Sequence, residues 1–206
     1  MTGEDPRPGR PRDPQTDQAI LRAALKLLTD RGYAGMSVEG VASEAGVGKT
    51  TIYRRYASKE ELVAAALGAL RDDLGPLPDT GDTRSDIVEM ILQMRQAVRR
   101  GPGFGMIGAL LVEETRSPEL FELMRERLLR PRRDEAMMVL RRGVDRGEIR
   151  ADVDLEVAVQ AMVGAVFMRH MFGVPESRTR IQQTVDMVWT GLAVSPGADR
   201  PPMQDR

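Results

Sequence analysis

A chain of 206 residues, 41% hydrophobic and 30% charged, has the balance of a globular protein with room for one large domain or two smaller ones. No run of about 18 apolar residues offers a membrane span, the polar start lacks the apolar core of a secretory signal, and the absence of cysteine excludes disulfides and thiolate metal sites; a cytoplasmic protein is expected. The net charge of −1 hides an asymmetry: residues 1–59 hold ten Lys/Arg against seven Asp/Glu while the remainder holds 20 against 24, so the basic excess belongs to the N-terminal part.

Residues 1–14, MTGEDPRPGRPRDP, carry four prolines and three arginines without periodicity and read as a disordered basic arm. Arg10 and Arg12 sit in an extended basic tetrapeptide of the kind that enters the narrow, negative minor groove of A·T-rich DNA; the plainer alternative is a tail. From Asp17 to Arg31 the pattern is helical, with Ile20, Ala24, Leu27 and Leu28 on one face and Gly32 as its end.

The densest signal lies in residues 36–59, MSVEGVASEAGVGKTTIYRRYASK. Ser37 is a good N-cap, Val41, Ala42 and Ala45 make the apolar face of a short helix, and Gly46 suits the left-handed position that closes it. A second helix starts at Gly48 and carries Lys49, Thr50, Thr51, Tyr53, Arg54 and Arg55, with Ile52 and Tyr56 facing inward. Two short helices joined by a glycine-containing turn, the second basic, hydroxyl-rich and aromatic, make a helix-turn-helix suited to a DNA major groove. The letters GVGKTT also imitate a phosphate-binding loop. That motif needs glycine where Ser43 stands, and its variant in partition-type ATPases needs Lys and Gly where Glu44 and Ala45 stand. It also follows a buried strand, which the helical spacing of residues 37–45 does not supply. A P-loop ATPase stays as an alternative to a DNA reader.

Ser58 and Glu61 form a capping box that opens a helix bearing Leu62, Ala66 and Leu70, and residues 75–81, GPLPDTG, then break the chain. The domains are accordingly an arm at 1–14, a helix-turn-helix domain with its connecting helix at 15–75, a second helical domain at 82–194 and a flexible tail at 195–206. In the second domain, Ile87, Ile91, Met94 and Val98 share a helical face, residues 104–115 form an apolar segment expected to be buried on most sides, and Pro118 opens a long helix with a kink at Pro131. The arginines at 125, 127, 130, 132 and 133 alternate with acids and read as a solvated face.

Asp154 caps residues 155–172, apolar nearly all round, a helix that needs cover from its own core on one side and from a partner chain on the other. A last helix from Pro175 carries Ile181, Val185, Val188 and Leu192. Together with Val159, Met162, Val163, Val166 and Phe167 these make a two-helix face for a four-helix dimer contact. With β-branched residues scattered and no hairpin signal, the fold class is all-α: a three-helix helix-turn-helix domain joined to a C-terminal helical bundle. His170 and Trp189 show no ligand spacing, and no metal site, catalytic residue or cofactor is expected.

The order of parts, Ile20-Leu21-x-Ala23-Ala24-x-x-Leu27, Gly32-Tyr33, Ser37-Val38-x-x-Val41-Ala42-x-x-Ala45-Gly46-Val47 and Thr51-Ile52-Tyr53-x-x-Tyr56-x-Ser58-Lys59-x-x-Leu62, resembles the DNA-binding domain of the tetracycline-repressor (TetR) family over residues 17–70. The segment from Arg141 to Asp154 is similar, more loosely, to regulatory domains of many members. The resemblance implies a homodimeric repressor with two recognition helices in successive major grooves of a palindromic operator. Carried over by position, Lys49, Thr50 and Thr51 face base edges or adjacent phosphates, Tyr53, Arg55 and Lys59 grip the DNA backbone, Arg54 does either, and Ser37 caps its helix and reaches a phosphate. Gly48 stands where a serine-type cap is usual, and Glu39 where some members present a basic or polar residue.

The resemblance also implies a small molecule in the C-terminal domain, expected here to be apolar, that changes the separation of the two readers, which must match half-sites about 34–36 Å apart. Met90, Met94, Phe104, Met106, Ile107, Leu110, Leu111 and Glu114 are expected to line an apolar cavity with one acidic contact, and 13 methionines suit a malleable site. The expected partners are a double-stranded DNA operator, a second copy of the chain and a small-molecule effector, with no membrane. A DNA-organising member without an effector is a further alternative.

Overall fold

The computed structural model describes residues 13–100 and 103–194, and the regular structure among them is helical. α1 (Pro14–Gly35) begins ahead of the expected Asp17 because the Asp13 carboxylate accepts from the Gln15 amide and the Thr16 hydroxyl, while Pro14 takes a first-turn position that has no intrahelical bond to lose. Position 14 is therefore helical and position 13 is its cap. Gly32 interrupts the last turn at φ 67°, a conformation that favours glycine, and a Cβ there would stand 3.2 Å from Glu113 Oε1.

α2 (Val38–Ala45) and α3 (Lys49–Tyr53) form the helix-turn-helix. Ser37 Oγ accepts from the Gly40 amide at 3.0 Å, and Gly46 closes α2 in the left-handed region at φ 65°. α3 is shorter than its sequence suggests, since the amides of Arg55 and Tyr56 both donate to the Ile52 carbonyl and turn the chain. α4 (Lys59–Asp72) is capped by Ser58, whose hydroxyl accepts from the Glu61 amide at 3.2 Å, while the Glu61 carboxylate accepts from Ala57 at 2.6 Å instead of from Ser58.

Two apolar cores result, and they do not divide at the 75–81 loop. The first joins Ile20 and Leu28 of α1, Val41, Ile52, Leu62 and Leu67 to Met106 of α6 (Gly103–Arg116), Leu120 and Met124 of α7 (Pro118–Met124) and Leu128 of the π turn Arg125–Leu129. The second joins α5 (Thr83–Arg100), α8 (Arg130–Asp145), α9 (Leu155–Met171) and α10 (Arg178–Leu192) through Ile87, Ile91, Leu140, Met162, Ile181 and Val185. Burying each such side chain is worth roughly 1.5–3 kcal/mol, so α6 and α7 are held to the reader by the force that holds the reader together. One carboxylate crosses the same seam: Glu113 of α6 is 3% exposed, its Oε1 accepts from the Tyr33 amide at 3.3 Å, and its Oε2 is buried without a hydrogen-bond partner.

The loosely matching segment after residue 140 proves to be a staple. A Cβ on Gly143 would meet Thr83 Cγ2 at 2.7 Å and Ile149 Cδ1 at 2.8 Å, so only glycine lets α8 approach the start of α5 this closely. Glu148 Oε2 accepts from the Thr83 amide at 2.8 Å, and Arg142 and Arg146 both pair with Asp79.

Three local expectations change. Residues 104–115 are not buried on most sides, for Leu111 and Val112 are 46% and 49% exposed while Met106 and Glu113 point inward. The long helix expected from Pro118 is not one α-helix, because a π turn just before Pro131 widens the ladder where the proline ring would strike the carbonyl four residues back. The last helix begins at Arg178 and not at Pro175, capped by the Ser177 hydroxyl accepting from the Arg180 amide.

Candidate nucleic-acid interface and regulatory cavity

α3 has one inward anchor, Ile52, which is 1% exposed. With that side chain fixed and Gly48 at the N-cap, the rest of the short helix is displayed: Lys49, Thr50, Tyr53 and the following Arg54 are exposed and Thr51 half-buried. Lys49 Nζ pairs with the Glu39 carboxylate of α2 and lies 5.5 Å from the centre of the Tyr53 ring. The hydrogen bond from Lys49 holds the Glu39 carboxyl below its ordinary range, and the same bond holds the ammonium above its own. Glu39, which stands where some members of the resembled family present a basic or polar residue, is thus paired with the first side chain of α3.

The GVGKTT imitation of a phosphate loop ends here. Residues 38–45 are helix and not strand, so the buried strand that such a loop follows is missing, and two amides of the segment have other partners: Val47 donates to Ala42 O and Thr51 to Gly48 O, each at 2.9 Å.

Two side chains expected on the DNA backbone have internal partners. Arg55 is 9% exposed in its side chain, and its Nε donates to Asp17 Oδ1 of α1 at 2.5 Å, so the guanidinium fastens the turn after α3 to the first helix. Lys59 Nζ donates to the Tyr33 carbonyl at 2.5 Å and lies 3.9 Å from the centre of that ring; burial pushes its ammonium pKa down. The Tyr33 hydroxyl donates to Glu60, and burial followed by that carboxylate pushes the phenol up. Arg10 and Arg12 lie outside the described residues.

The C-terminal half holds a cavity of roughly 480 Å³ between α5, the start of α6, α9 and the loop after α9, lined by Met94, Val98, Phe104, Val166, His170 and Val174 among others. Of the expected lining, Met94 and Phe104 are there. Met90 is in the second core, Met106 in the first, and Ile107 is absent from the lining. Leu111 is exposed at 46%, and Glu114, 56% exposed in its side chain, faces Arg125 at 3.6 Å; the side chain of Leu110 lies outside the described residues. Short-range spacing along α6 could not supply the cavity's other wall, which comes from α9. A wider cleft of roughly 580 Å³ opens at the seam between α1, α4 and α5, with Arg22, Lys26, Asp30 and Asp73 on its walls.

Comparison with known proteins adds the family. Residues 20–66 match the model of bacterial regulatory proteins of the tetR family, and residues 77–188 match the tetracyclin repressor-like C-terminal domain. The chain belongs to the TetR family. It is similar to the HTH-type transcriptional regulator YdeS of Bacillus subtilis, 34% identical over 78% of this chain and 81% of that one. It is similar also to the DNA-binding transcriptional repressor TetR of Mycobacteroides abscessus, 33% identical over 87% of this chain and 94% of that one. Among solved structures, that of the TetR family transcription regulator SCO0332 is 30% identical, with a TM-score of 0.66 over 88% of this chain and 100% of that one. The protein is therefore a DNA-binding transcriptional regulator and not an enzyme.

For a TetR-family chain the surface open to a second copy matters as much as the reader, and here the expected stripe turns inward. Val159, Met162, Val166, Ile181, Val185 and Leu192 are at most 7% exposed, all of them inside the protomer's own second core. Val188 packs against that core, Phe167 meets Phe104 edge-on at 5.8 Å, and Val163 is exposed at 39%. The outward stripe of α9 runs instead through Val157, Ala161, Gly164, Met168 and Met171, at i, i+4, i+7, i+11 and i+14, and continues into Phe172. Met187 and Gly191 are the corresponding exposed positions of α10, and Met187 and Phe172 are 79% and 73% exposed.

Proposed function

We propose that the protein is a homodimeric repressor that holds a palindromic operator through paired α3 helices and releases it when a small molecule occupies the cavity between α5, α6 and α9. The observation that carries this reading is the display on α3: one buried isoleucine holds the helix while every polar side chain on it stays outside or half-outside. Lys49 is suited to guanine acceptors, the methyl groups of Thr50 and Thr51 to thymine, and Arg54 to either a base edge or a phosphate. Tyr53 and the Ser37 hydroxyl, which still has its proton to donate, suit flanking phosphates and set the register.

Dimerisation is supported by the outward stripe of α9 with Met187 of α10, a run of apolar side chains too long to be a scatter of surface residues. Release by a ligand is supported by the cavity's position, since its α6 wall is part of the helix that enters the reader's core through Met106 and Glu113.

The reading is tested by selecting genomic fragments bound by the full-length protein and footprinting them. The expected result is an inverted repeat whose half-sites are centred about one helical turn or a multiple apart. Retention of fragments without a shared sequence would reject the sequence-specific repressor and favour a DNA-organising role.

A further inference from the structure

We infer that the molecule taken by the cavity between α5, α6 and α9 is a small amphipathic organic anion, an apolar ring or chain carrying one carboxylate or sulfonate. This rests on the reading of that cavity as the effector site. Its walls are apolar: Met94 and Val98 from α5, Phe104 from α6, Val166 from α9 and Val174 from the following loop. The Phe104 ring stacks on His170 with centroids 4.3 Å apart and planes 26° from parallel, which makes a flat surface against which a ring or chain can lie.

The charges of the lining do not cancel. Arg95 Nη2 donates to the Glu176 carbonyl at 2.9 Å, a contact that fixes the guanidinium at the mouth without neutralising it. Arg99, beside it on the same lining, is exposed and has no carboxylate partner among the described residues. The one carboxylate in the lining has its charge paired, because Glu176 Oε1 meets Arg169 Nη1 at 3.1 Å, while its Oε2 is buried without a hydrogen-bond partner. Two arginines are thus left over beside an apolar interior. A guanidinium fixed against apolar walls has given up part of its hydration, and an anionic group with several acceptor oxygens restores those bonds in a planar, paired geometry. The wider cleft at the seam shows the opposite arrangement. Its Arg22 and Lys26 share the walls with Asp30 and Asp73, and Lys26 is paired with Asp30 at 3.6 Å and with Glu44 at 3.1 Å, so that cleft has no unbalanced charge to offer an anion.

The test uses two fluorescent probes with the same aryl body, anilinonaphthalene sulfonate and the uncharged N-phenyl-naphthylamine, titrated into the full-length protein. Arg99→Gln and Arg95→Gln should each weaken the sulfonate by about tenfold, the usual share of one charge-assisted contact, and leave the uncharged probe within about twofold. Raising the salt concentration should weaken the sulfonate alone. Val98→Trp, which fills the cavity, should remove both probes while circular dichroism stays unchanged. Equal affinities of the sulfonate for the wild type and both arginine variants would overturn the anion preference while leaving the cavity as a ligand site. Survival of sulfonate binding in Val98→Trp would overturn the cavity as its location. Failure of both probes to bind the wild type would take the effector reading down together with the inference.

Discussion

The reading head and the regulatory half are built from the same kind of amphipathic helix, yet they differ in the distance over which a side chain's direction is decided. In α2 and α3 the deciding partners are a few residues away: Ser37 caps, Gly46 turns, Ile52 anchors, and the outward face follows. In α9 the deciding partners lie on α8 and α10, across the loops on either side of it. A helix that is apolar nearly all round says that it is covered, but which face meets its own core and which is left for a partner depends on how those distant helices approach.

Substitutions on α10 and at the reader can break or sharpen this contrast. The largest effect is expected at Val185, 1% exposed: Val185→Asp leaves a charge unpaired in the second core and should unfold the regulatory half, at a cost above about 4 kcal/mol. Two positions further on, Met187 is 79% exposed, and Met187→Asp should leave the protomer folded but shift the dimer to monomer in sedimentation velocity. A dimer unaffected by Met187→Asp would show that the outward stripe is not the contact. In the reader, Ile52→Ala should cost about 2–5 kcal/mol in urea unfolding, whereas Arg54→Ala should leave unfolding unchanged and weaken an operator fragment about tenfold or more in fluorescence anisotropy.

Arg55→Ala is the next step down. Its guanidinium is committed to Asp17, so the substitution should lower stability by about 1–3 kcal/mol and leave the salt slope of DNA binding unaltered; a slope reduced by about one would return Arg55 to the phosphates. Smaller still is Glu39→Gln. It frees Lys49, and operator binding should tighten by at most about fivefold at low salt and not at all at high salt, because both groups are exposed. The smallest effect concerns pH. The Asp79 carboxyl is held below its ordinary 3.8, first by the hydrogen bond from Arg146. Its folded pKa is the depressed one, so its contribution is present above 3.8 and is lost as the pH falls through the lowered value. The melting temperatures of wild type and Asp79→Asn should differ slightly at neutral pH and converge below that range.

Sequence patterns located the all-helical fold, the helix-turn-helix and the four good caps at Ser37, Gly46, Ser58 and Asp154, because each of these is a contact within a few residues. They missed what needs the third dimension. Nothing near Arg55 announces Asp17, and nothing near Lys59 announces the Tyr33 carbonyl, so the internal partners of two basic residues expected on the DNA backbone were not legible in the sequence. The stripe expected to face a partner chain turns inward, which the pattern does not reveal because Val159 and Val157 are equally apolar; packing, and not composition, sends the first inward at 7% exposure and the second outward at 58%. For the cavity, Met94 and Phe104 were legible as apolar positions of α5 and α6, but Val166, His170 and Val174 come from an element more than 60 residues later.

The glycine–glutamate contact at the seam has a further consequence, for how proteins of this architecture can be recombined. Glu113 belongs by chain position to the C-terminal half, yet it sits against Gly32 and Tyr33 at the foot of the reader, where a Cβ on residue 32 would stand 3.2 Å from its Oε1 and would be strained by the φ of 67°. A reader grafted from a relative at the 75–81 loop would therefore arrive with its own residue 32 and meet a carboxylate that here packs against glycine. The transplantable unit is not the first 75 residues but those residues together with the one turn of α6 that grips them.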